Sequence, residues 1–215
     1  MPTEDEPPRR PLSGRRAQAA RNDPVILDAA RQVFMADPAA PVSAVAKAAG
    51  VGISALYKRF PSKEDMLARI CRDGLSEYVT IADAAAQIED SEEAFRTFMR
   101  GIVDADVHSL TVRLAGRFTP SEDFAPLVSD SGRLTQRLFT RAKDCGAIRP
   151  DAVVNDLVMI FEQLSAIHLG GTERTRALRR RYLALHLGAL RSEPPPKLPG
   201  PGPTDEELGE RWRRD

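Results

Sequence analysis

Residues 24–70 read PVILDAARQVFMADPAAPVSAVAKAAGVGISALYKRFPSKEDMLARI, and the punctuation of this stretch decides the fold. From Pro24 to Met35 the residues Val25, Ile26, Ala29, Ala30, Val33 and Phe34 recur at intervals of three and four, one face of an α-helix. Asp23 is placed to cap that helix, and Pro24 suits its first turn. Two short helical pieces follow, residues 42–49 and 53–60, separated by Gly50-Val51-Gly52. Pro61 stops the second piece. Ser62 opens a longer helix, where Ser62 to Asp65 resembles a capping box with Asp in place of the usual Glu. Met66, Leu67, Ile70, Leu75 and Tyr78 are expected on its apolar face, with Gly74 a candidate kink.

Helix, short helix, glycine turn, short helix is the order of a helix-turn-helix. Ala46 is small enough for two helices to cross closely, Gly50 accepts a positive φ at the turn, and Val51 fills the gap behind it. The piece after the turn carries Ile53, Ser54, Tyr57, Lys58 and Arg59. Such a mixed surface suits a reading helix whose first residues meet base edges while its tyrosine and cations meet phosphates.

Outward from this stretch the chain remains helical. Ten of its 17 prolines lie before residue 12 or after residue 193, leaving long proline-poor stretches between. Residues 1–21, an arm with Arg9, Arg10, Arg15, Arg16 and Arg21, and the Pro-rich residues 192–215 are expected to be disordered. Ser91 is expected to cap a helix striped with Phe95, Phe98, Met99, Ile102 and Val103, and further helices are expected over residues 110–117 and 131–145, the latter closing on Gly146. Thr119-Pro120 and Ala125-Pro126 punctuate the connection between those two. Residues 151–169 carry Val153, Val154, Leu157, Val158, Ile160, Phe161, Leu164 and Ile167, a helix apolar nearly all round and so buried on more than one side. After Gly170-Gly171 a last helix, residues 172–191, carries Leu178, Tyr182, Leu185, Leu187 and Leu190. No internal repeat and no alternation of period two is found, so the fold is expected to be all-α.

The segment resembles the N-terminal domain of the tetracycline-repressor (TetR) family. The matching pieces are the opening helix with Ala29-Ala30 and Phe34, Val45-Ala46 with Ala49-Gly50-Val51, Leu56-Tyr57, and Phe60-Pro61-Ser62-Lys63-Glu64. The resemblance implies a three-helix DNA-binding domain over residues 22–68 and a larger helical domain, residues 69–191, for effector binding and dimerisation. It implies a homodimeric regulator, usually a repressor, that binds a pseudo-palindromic operator and is released by a small molecule. Carried over, Ser43 would touch the DNA backbone, Gly52, Ile53, Ser54 and Ala55 would face the major groove, and Tyr57 and Lys63 would hold phosphates with Lys58 and Arg59 nearby. The chain departs from many members at Gly52 and at Ser54-Ala55, where hydroxyls are lost. Thymine methyls met by Ile53 and Ala55, DNA shape, and the arginine arm are then the remaining routes to sequence discrimination. Phe95, Phe98, Met99, Ile102, Phe118, Phe139, Met159 and Phe161 are the candidate lining of an effector pocket suited to an apolar or aromatic compound.

Composition narrows the alternatives. The chain has 215 residues, with 31 Lys and Arg against 31 Asp and Glu, so a wholly basic nucleic-acid coat is excluded and any DNA-binding surface must come from local segregation of charge. Cys71 and Cys145 share no motif, which fits neither a disulfide framework nor a zinc site. No secretory leader and no membrane-length apolar run is found, and a cytoplasmic protein without a membrane partner is expected. Asp104, Asp106 and His108 could suggest a metal, but on a helix Asp106 would point away from the other two. Gly50-Val51-Gly52-Ile53-Ser54-Ala55 matches a dinucleotide fingerprint formally, yet no strand precedes it. His168 is expected to be a buried polar residue near Glu162, and Arg179-Arg180-Arg181 a solvated face. No nucleophile, metal or phosphate-loop constellation is found, so neither an enzyme nor a cofactor is expected. The competing reading is a helical ligand-binding or scaffold protein with a vestigial helix-turn-helix.

Overall fold

A computed structural model describes residues 14–109, 124–191 and 198–210, and among these every regular element is a helix. The chain divides into two compact units between Pro61 and Ser62.

The first unit contains α1 (Gly14–Ala36), α2 (Val42–Ala48) and α3 (Ile53–Tyr57). Helix α1 starts ahead of the expected Asp23-Pro24 boundary, and Pro24 lies inside it. Ala17, Ala19 and Ala20 among arginines and a glutamine are strong helix formers, and Pro24 removes only one rung of the ladder. The arm is thus helical from residue 14. Ile26, Ala30, Phe34, Val45, Ala46 and Leu56 are buried, whereas Val25, expected on the same stripe, is exposed. Helix α2 ends in a tight reversal: Gly50 has φ 66°, its N–H donates to the Lys47 carbonyl (3.3 Å), and the Val51 N–H donates to the Ala46 carbonyl (3.0 Å). This paired closure satisfies two carbonyls that the helix end leaves open.

The second unit contains α4 (Lys63–Ala86), α5 (Ser91–Ala105), α6 (Ala125–Asp144), α7 (Asp156–Ser165), α8 (Thr172–Leu190) and α9 (Asp205–Glu210). Helices α4, α5 and α6 pack against one another, and α8 packs on both α5 and α7. The α4 start is the expected capping box: Ser62 Oγ accepts from the Asp65 N–H (3.0 Å) and Asp65 Oδ2 accepts from the Ser62 N–H (3.1 Å). The helix runs unbroken through Gly74. Its far end is held by Arg141, which donates to the carbonyls of Ala86, Ile88 and Glu89. Ala82, Ala85 and Ala86 join Phe98, Met99, Ile102, Leu134, Leu138 and Phe161 in one core. At the α4–α5 crossing a side chain on Gly101 would come within 2.6 Å of Ile81 Cγ2, so only glycine fits there.

Several expectations need correction. Asp90, not Ser91, caps α5, its carboxylate accepting from the Glu93 N–H (2.7 Å). Ala125-Pro126 opens α6 instead of breaking the chain, because proline in a first turn forfeits no hydrogen bond. The helix expected over 110–117, Phe118 and Thr119-Pro120 lie outside the described residues. The long helix over 151–169 is only Asp156–Ser165; Asp156 Oδ2 accepts from the Val153 N–H (2.9 Å), which bends the chain into a turn before the helix starts. Past its end His168 is exposed, not buried. On α8, Leu178, Leu183 and Leu190 are buried while Tyr182 and Leu185 face outward. Arg179 is 5% exposed, paired with Asp106 (2.6 Å) and donating to the Ser165 and Ile167 carbonyls, and Arg180 grips Asp104 with two nitrogens. The acids suspected of metal binding therefore anchor α8 to the end of α5.

The C-terminal stretch is also ordered where it is described. The Leu198 N–H donates to Asp151 Oδ2 (3.0 Å), and Asn155 Nδ2 donates to the Pro203 carbonyl (3.0 Å) and to Asp205 Oδ1 (2.8 Å). A second capping box starts α9: the Thr204 N–H donates to Glu207 Oε2 (2.8 Å) and the Glu207 N–H to Thr204 Oγ1 (3.2 Å).

Candidate nucleic-acid interface and ligand cavity

Helix α3 is five residues long and held by one buried side chain, Leu56, with buried Phe60 just beyond it. Gly52 is its extended N-cap and offers no side-chain hydrogen bond, and the Leu56 N–H closes the first turn on the Gly52 carbonyl (3.1 Å). Because Leu56 points inward, Gly52, Ile53, Ser54, Ala55, Tyr57 and Lys58 form one exposed face, with Ile53 41% and Tyr57 47% accessible. Ser43, in the first turn of α2, is exposed as well. An exposed isoleucine and tyrosine on so short a helix have no packing role to explain them.

Arg59 is placed differently. Its guanidinium donates to the Asp23 carboxylate of α1, and the side chain is half-buried. Lys63 belongs to the second unit, where it is the first residue of α4 and half-buried. In sequence, residues 14–61 carry an excess of positive charge. From residue 14 to 61 the cations are Arg15, Arg16, Arg21, Arg31, Lys47, Lys58 and Arg59, against Asp23, Asp28 and Asp37 with no glutamate.

The second unit holds a cavity of about 320 Å³. Tyr78 of α4, Ser131, Gly132, Thr135 and Gln136 of α6, and Leu157, Val158 and Phe161 of α7 line it, together with His108, Val154, Asn155 and Asp205. Of the residues expected to line a pocket, it contains Phe161. Phe98, Met99, Ile102 and Phe139 lie in the core, Phe95 borders a separate hollow of about 120 Å³ beside Glu92 and Arg191, and Met159 is half-buried. Phe98 and Phe161 meet edge to face at 6.3 Å, so the core supports the cavity wall.

The sequence pattern does not announce the polar lining, and its proton directions follow from the hydrogen bonds. Thr135 Oγ1 donates to the Ser131 carbonyl (2.7 Å), so the 2.7 Å contact between Tyr78 and Thr135 has the tyrosine as donor. Burial pushes the Tyr78 hydroxyl up to about 12, which keeps it protonated. Cys71 is buried and its thiol is likewise pushed up to about 12, whereas Cys145 is exposed. Among the described residues no group of three or more His, Cys, Asp or Glu is placed to hold a metal, and no helix is long and apolar enough to cross a membrane.

Comparison with known proteins fits this geometry. Residues 26–70 match the family model for bacterial regulatory proteins of the tetR family. In fold the chain is similar to the TetR-family transcriptional regulator PfmR from Thermus thermophilus, with 23% identity, 76% of this chain and 97% of that chain covered, and a TM-score of 0.54. It is similar also to a TetR transcription regulatory protein from Mycobacterium vanbaalenii, at 24% identity, 82% and 99% coverage, and a TM-score of 0.53. A gamma-butyrolactone receptor described as ArpA-like gives 20% identity, 79% and 87% coverage, and 0.56. No curated protein sequence matches. Over residues 26–70 the chain is similar to the tetR family of bacterial regulatory proteins, and its fold is that of solved TetR-family transcriptional regulators.

Proposed function

We propose that the protein is a cytoplasmic, homodimeric repressor that binds a pseudo-palindromic DNA operator through α3 and leaves it when a small molecule enters the cavity of the second unit. The observation that carries the reading is the exposed face from Gly52 to Lys58, mounted on buried Leu56. Ser54 and the methyls of Ile53 and Ala55 address base edges, Tyr57, Lys58 and Ser43 address phosphates, and Lys63 adds a cation from the start of α4. Arg59 serves this surface mainly by tying α3 to α1.

Dimerisation is supported by α8, which buries Leu178, Leu183 and Leu190 and leaves the apolar bodies of Tyr182 and Leu185 45% and 59% exposed. Two copies would set their reading helices about one duplex turn apart, about 34–36 Å. The ligand acts by binding one spacing better than the other, and it shifts the equilibrium only by that difference. The cavity wall of Phe161, Leu157, Val154 and Val158 suits a small, partly aromatic compound.

The test is binding of the full chain to DNA flanking its own gene, against random duplex, over a salt series. Discrimination of roughly 10³ or more supports operator recognition. Absence of preference there, followed by a random-sequence selection that enriches no motif, would overturn it and favour the scaffold reading.

A further inference from the structure

Beside the cavity runs a segment that lies outside the helical core, residues 198–210, and its Asp205 is part of the cavity lining. Three attachments seat it. Asp151 receives the Leu198 N–H, Asn155 spends both protons of its amide nitrogen on Pro203 and Asp205, and Gly202 lies so close to the chain before α7 that a side chain there would meet Val153 Cγ2 at 2.2 Å. The capping box of Thr204 and Glu207 then turns the chain into α9, with Asp205 as its first residue and part of the cavity lining.

Apart from the ring of His108, the side-chain donors of this lining are largely committed within the protein. Tyr78 gives its proton to Thr135, Thr135 to the Ser131 carbonyl, and Ser131 Oγ to the Val128 carbonyl (2.9 Å). The Asn155 side chain has no N–H left, and Gln136 gives one of its two to Thr140 (3.1 Å). What these groups still offer is lone pairs: the oxygens of Tyr78 and Thr135, the Asn155 side-chain carbonyl, and the Asp205 carboxylate. Among the described residues no lysine or arginine lines the cavity. Beyond the His108 ring and one N–H of Gln136, a carboxylate or phosphate ligand would find few donors and one like charge, whereas an ammonium or amine N–H would find acceptors on several sides.

We propose that residues 198–210 form a strap that completes the cavity, and that through Asp205 the strap selects a cationic or hydrogen-bond-donating aromatic compound over an anionic one. The proposal rests on the reading of this cavity as the effector site. It gives the C-terminal segment a role in ligand recognition that no core residue supplies, because the cavity's carboxylate is carried by the strap.

Three probes of one shape test it: 2-naphthylmethylamine, 2-naphthylmethanol and 2-naphthoate, each titrated calorimetrically into the full chain. The amine is expected to bind about tenfold or more tighter than the carboxylate, the alcohol falling between, as charge attraction at a partly solvated site allows. Asp205→Asn removes the charge and keeps the shape, so it should bring the three affinities within about twofold. Gly202→Val unseats the strap without touching the core and should abolish the preference in the same way. A carboxylate that binds as well as the amine, or a preference untouched by both substitutions, overturns the strap's role while leaving the cavity a ligand site. Failure of all three probes to bind would overturn the effector-site reading together with the strap.

Discussion

The guanidinium of Arg59, two residues past the end of α3, donates to the carboxylate of Asp23 in α1. The pair spans 36 residues of sequence and ties the reading helix to the first helix of its unit. Under the proposed function it also neutralises a cation that α3 could otherwise offer to a phosphate. Asp23→Asn should therefore raise non-specific DNA affinity and steepen its salt dependence by up to about one phosphate equivalent. Both side chains are partly solvated, so the stability lost should stay within about 1 kcal/mol. Lys58→Ala, at an exposed neighbour, should flatten the same slope by about 1. Binding isotherms over a salt series on the same duplex separate the two; an unchanged slope in Asp23→Asn would mean that Arg59 never reaches the DNA.

Tyr57 is exposed on a helix whose inward contact is Leu56. Truncating it should leave thermal unfolding nearly unchanged, within about 0.5 kcal/mol, as for surface positions generally. Operator binding should fall by roughly tenfold or more, the loss of one good contact. Tyr57→Phe divides that effect: if the hydroxyl holds a phosphate, the phenylalanine variant should bind about as poorly as the alanine variant. Equal operator affinity in all three proteins would remove Tyr57 from the interface.

The reading domain is legible in the sequence because its signals are local. Gly50 and the Ser62-to-Asp65 box each act within a few residues of themselves and do in the structure what their chemistry requires, whereas the helix expected to run to Pro61 already ends at Tyr57. The same code is written at Thr204 to Glu207, where six prolines nearby mask it and give the segment the composition of a disordered tail. The cavity is not legible, for a different reason. Phe98 and Phe161 are alike in sequence and both are buried in the core, and only the packing of α4, α5 and α7 leaves Phe161 also on the cavity wall. Its polar lining, Thr135 and Asn155 among them, reads as ordinary helix surface until the helices are assembled. Arg179 is hidden in the same way, since its partner Asp106 is remote in sequence.

That buried arginine makes a stability prediction. Arg179 satisfies Asp106 and two carbonyls at the end of α7, and α8 packs behind it. Asp106 has φ 55°, a conformation that asparagine also tolerates, so Asp106→Asn removes the charge without straining the backbone. An arginine left buried without its counter-ion should cost about 3 kcal/mol, measured by urea unfolding of the full chain. Arg179→Met, which removes the cation altogether, should cost less than Asp106→Asn if desolvation dominates. The reverse order would show that the carbonyl contacts matter more than the charge.

The two thiols should differ sharply in reactivity. Burial pushes the Cys71 thiol up to about 12, so almost no thiolate forms near neutral pH, while Cys145 is exposed at the end of α6. One equivalent of iodoacetamide should be taken up by the folded protein, at Cys145, and the second only in denaturant. Mass spectrometry of tryptic peptides reads both. Labelling of Cys71 in the native protein would mean that α4 opens locally on the timescale of the reaction.

The strap should come off in acid. Asp151 is held far below the usual carboxylate range, first by the Arg149 guanidinium and next by the Leu198 N–H. Glu207 is lowered by its bonds to Thr204. A carboxylate whose folded-state value is depressed contributes stability above its unfolded value, and that contribution is lost as pH falls toward the folded one. For both groups the window lies below about pH 4, so strap contacts should be intact from about pH 5 to neutrality and weaken steadily beneath it. Amide hydrogen exchange at Leu198 and Glu207, corrected for intrinsic rates, should show protection at about pH 5 that declines toward about pH 3, ahead of amides in the α4–α6 core. Asp151→Asn should expose the Leu198 amide already at neutral pH while Glu207 keeps its cap. Protection at Leu198 that survives both acid and this substitution would mean that packing at Gly202, not the carboxylate, holds the strap in place.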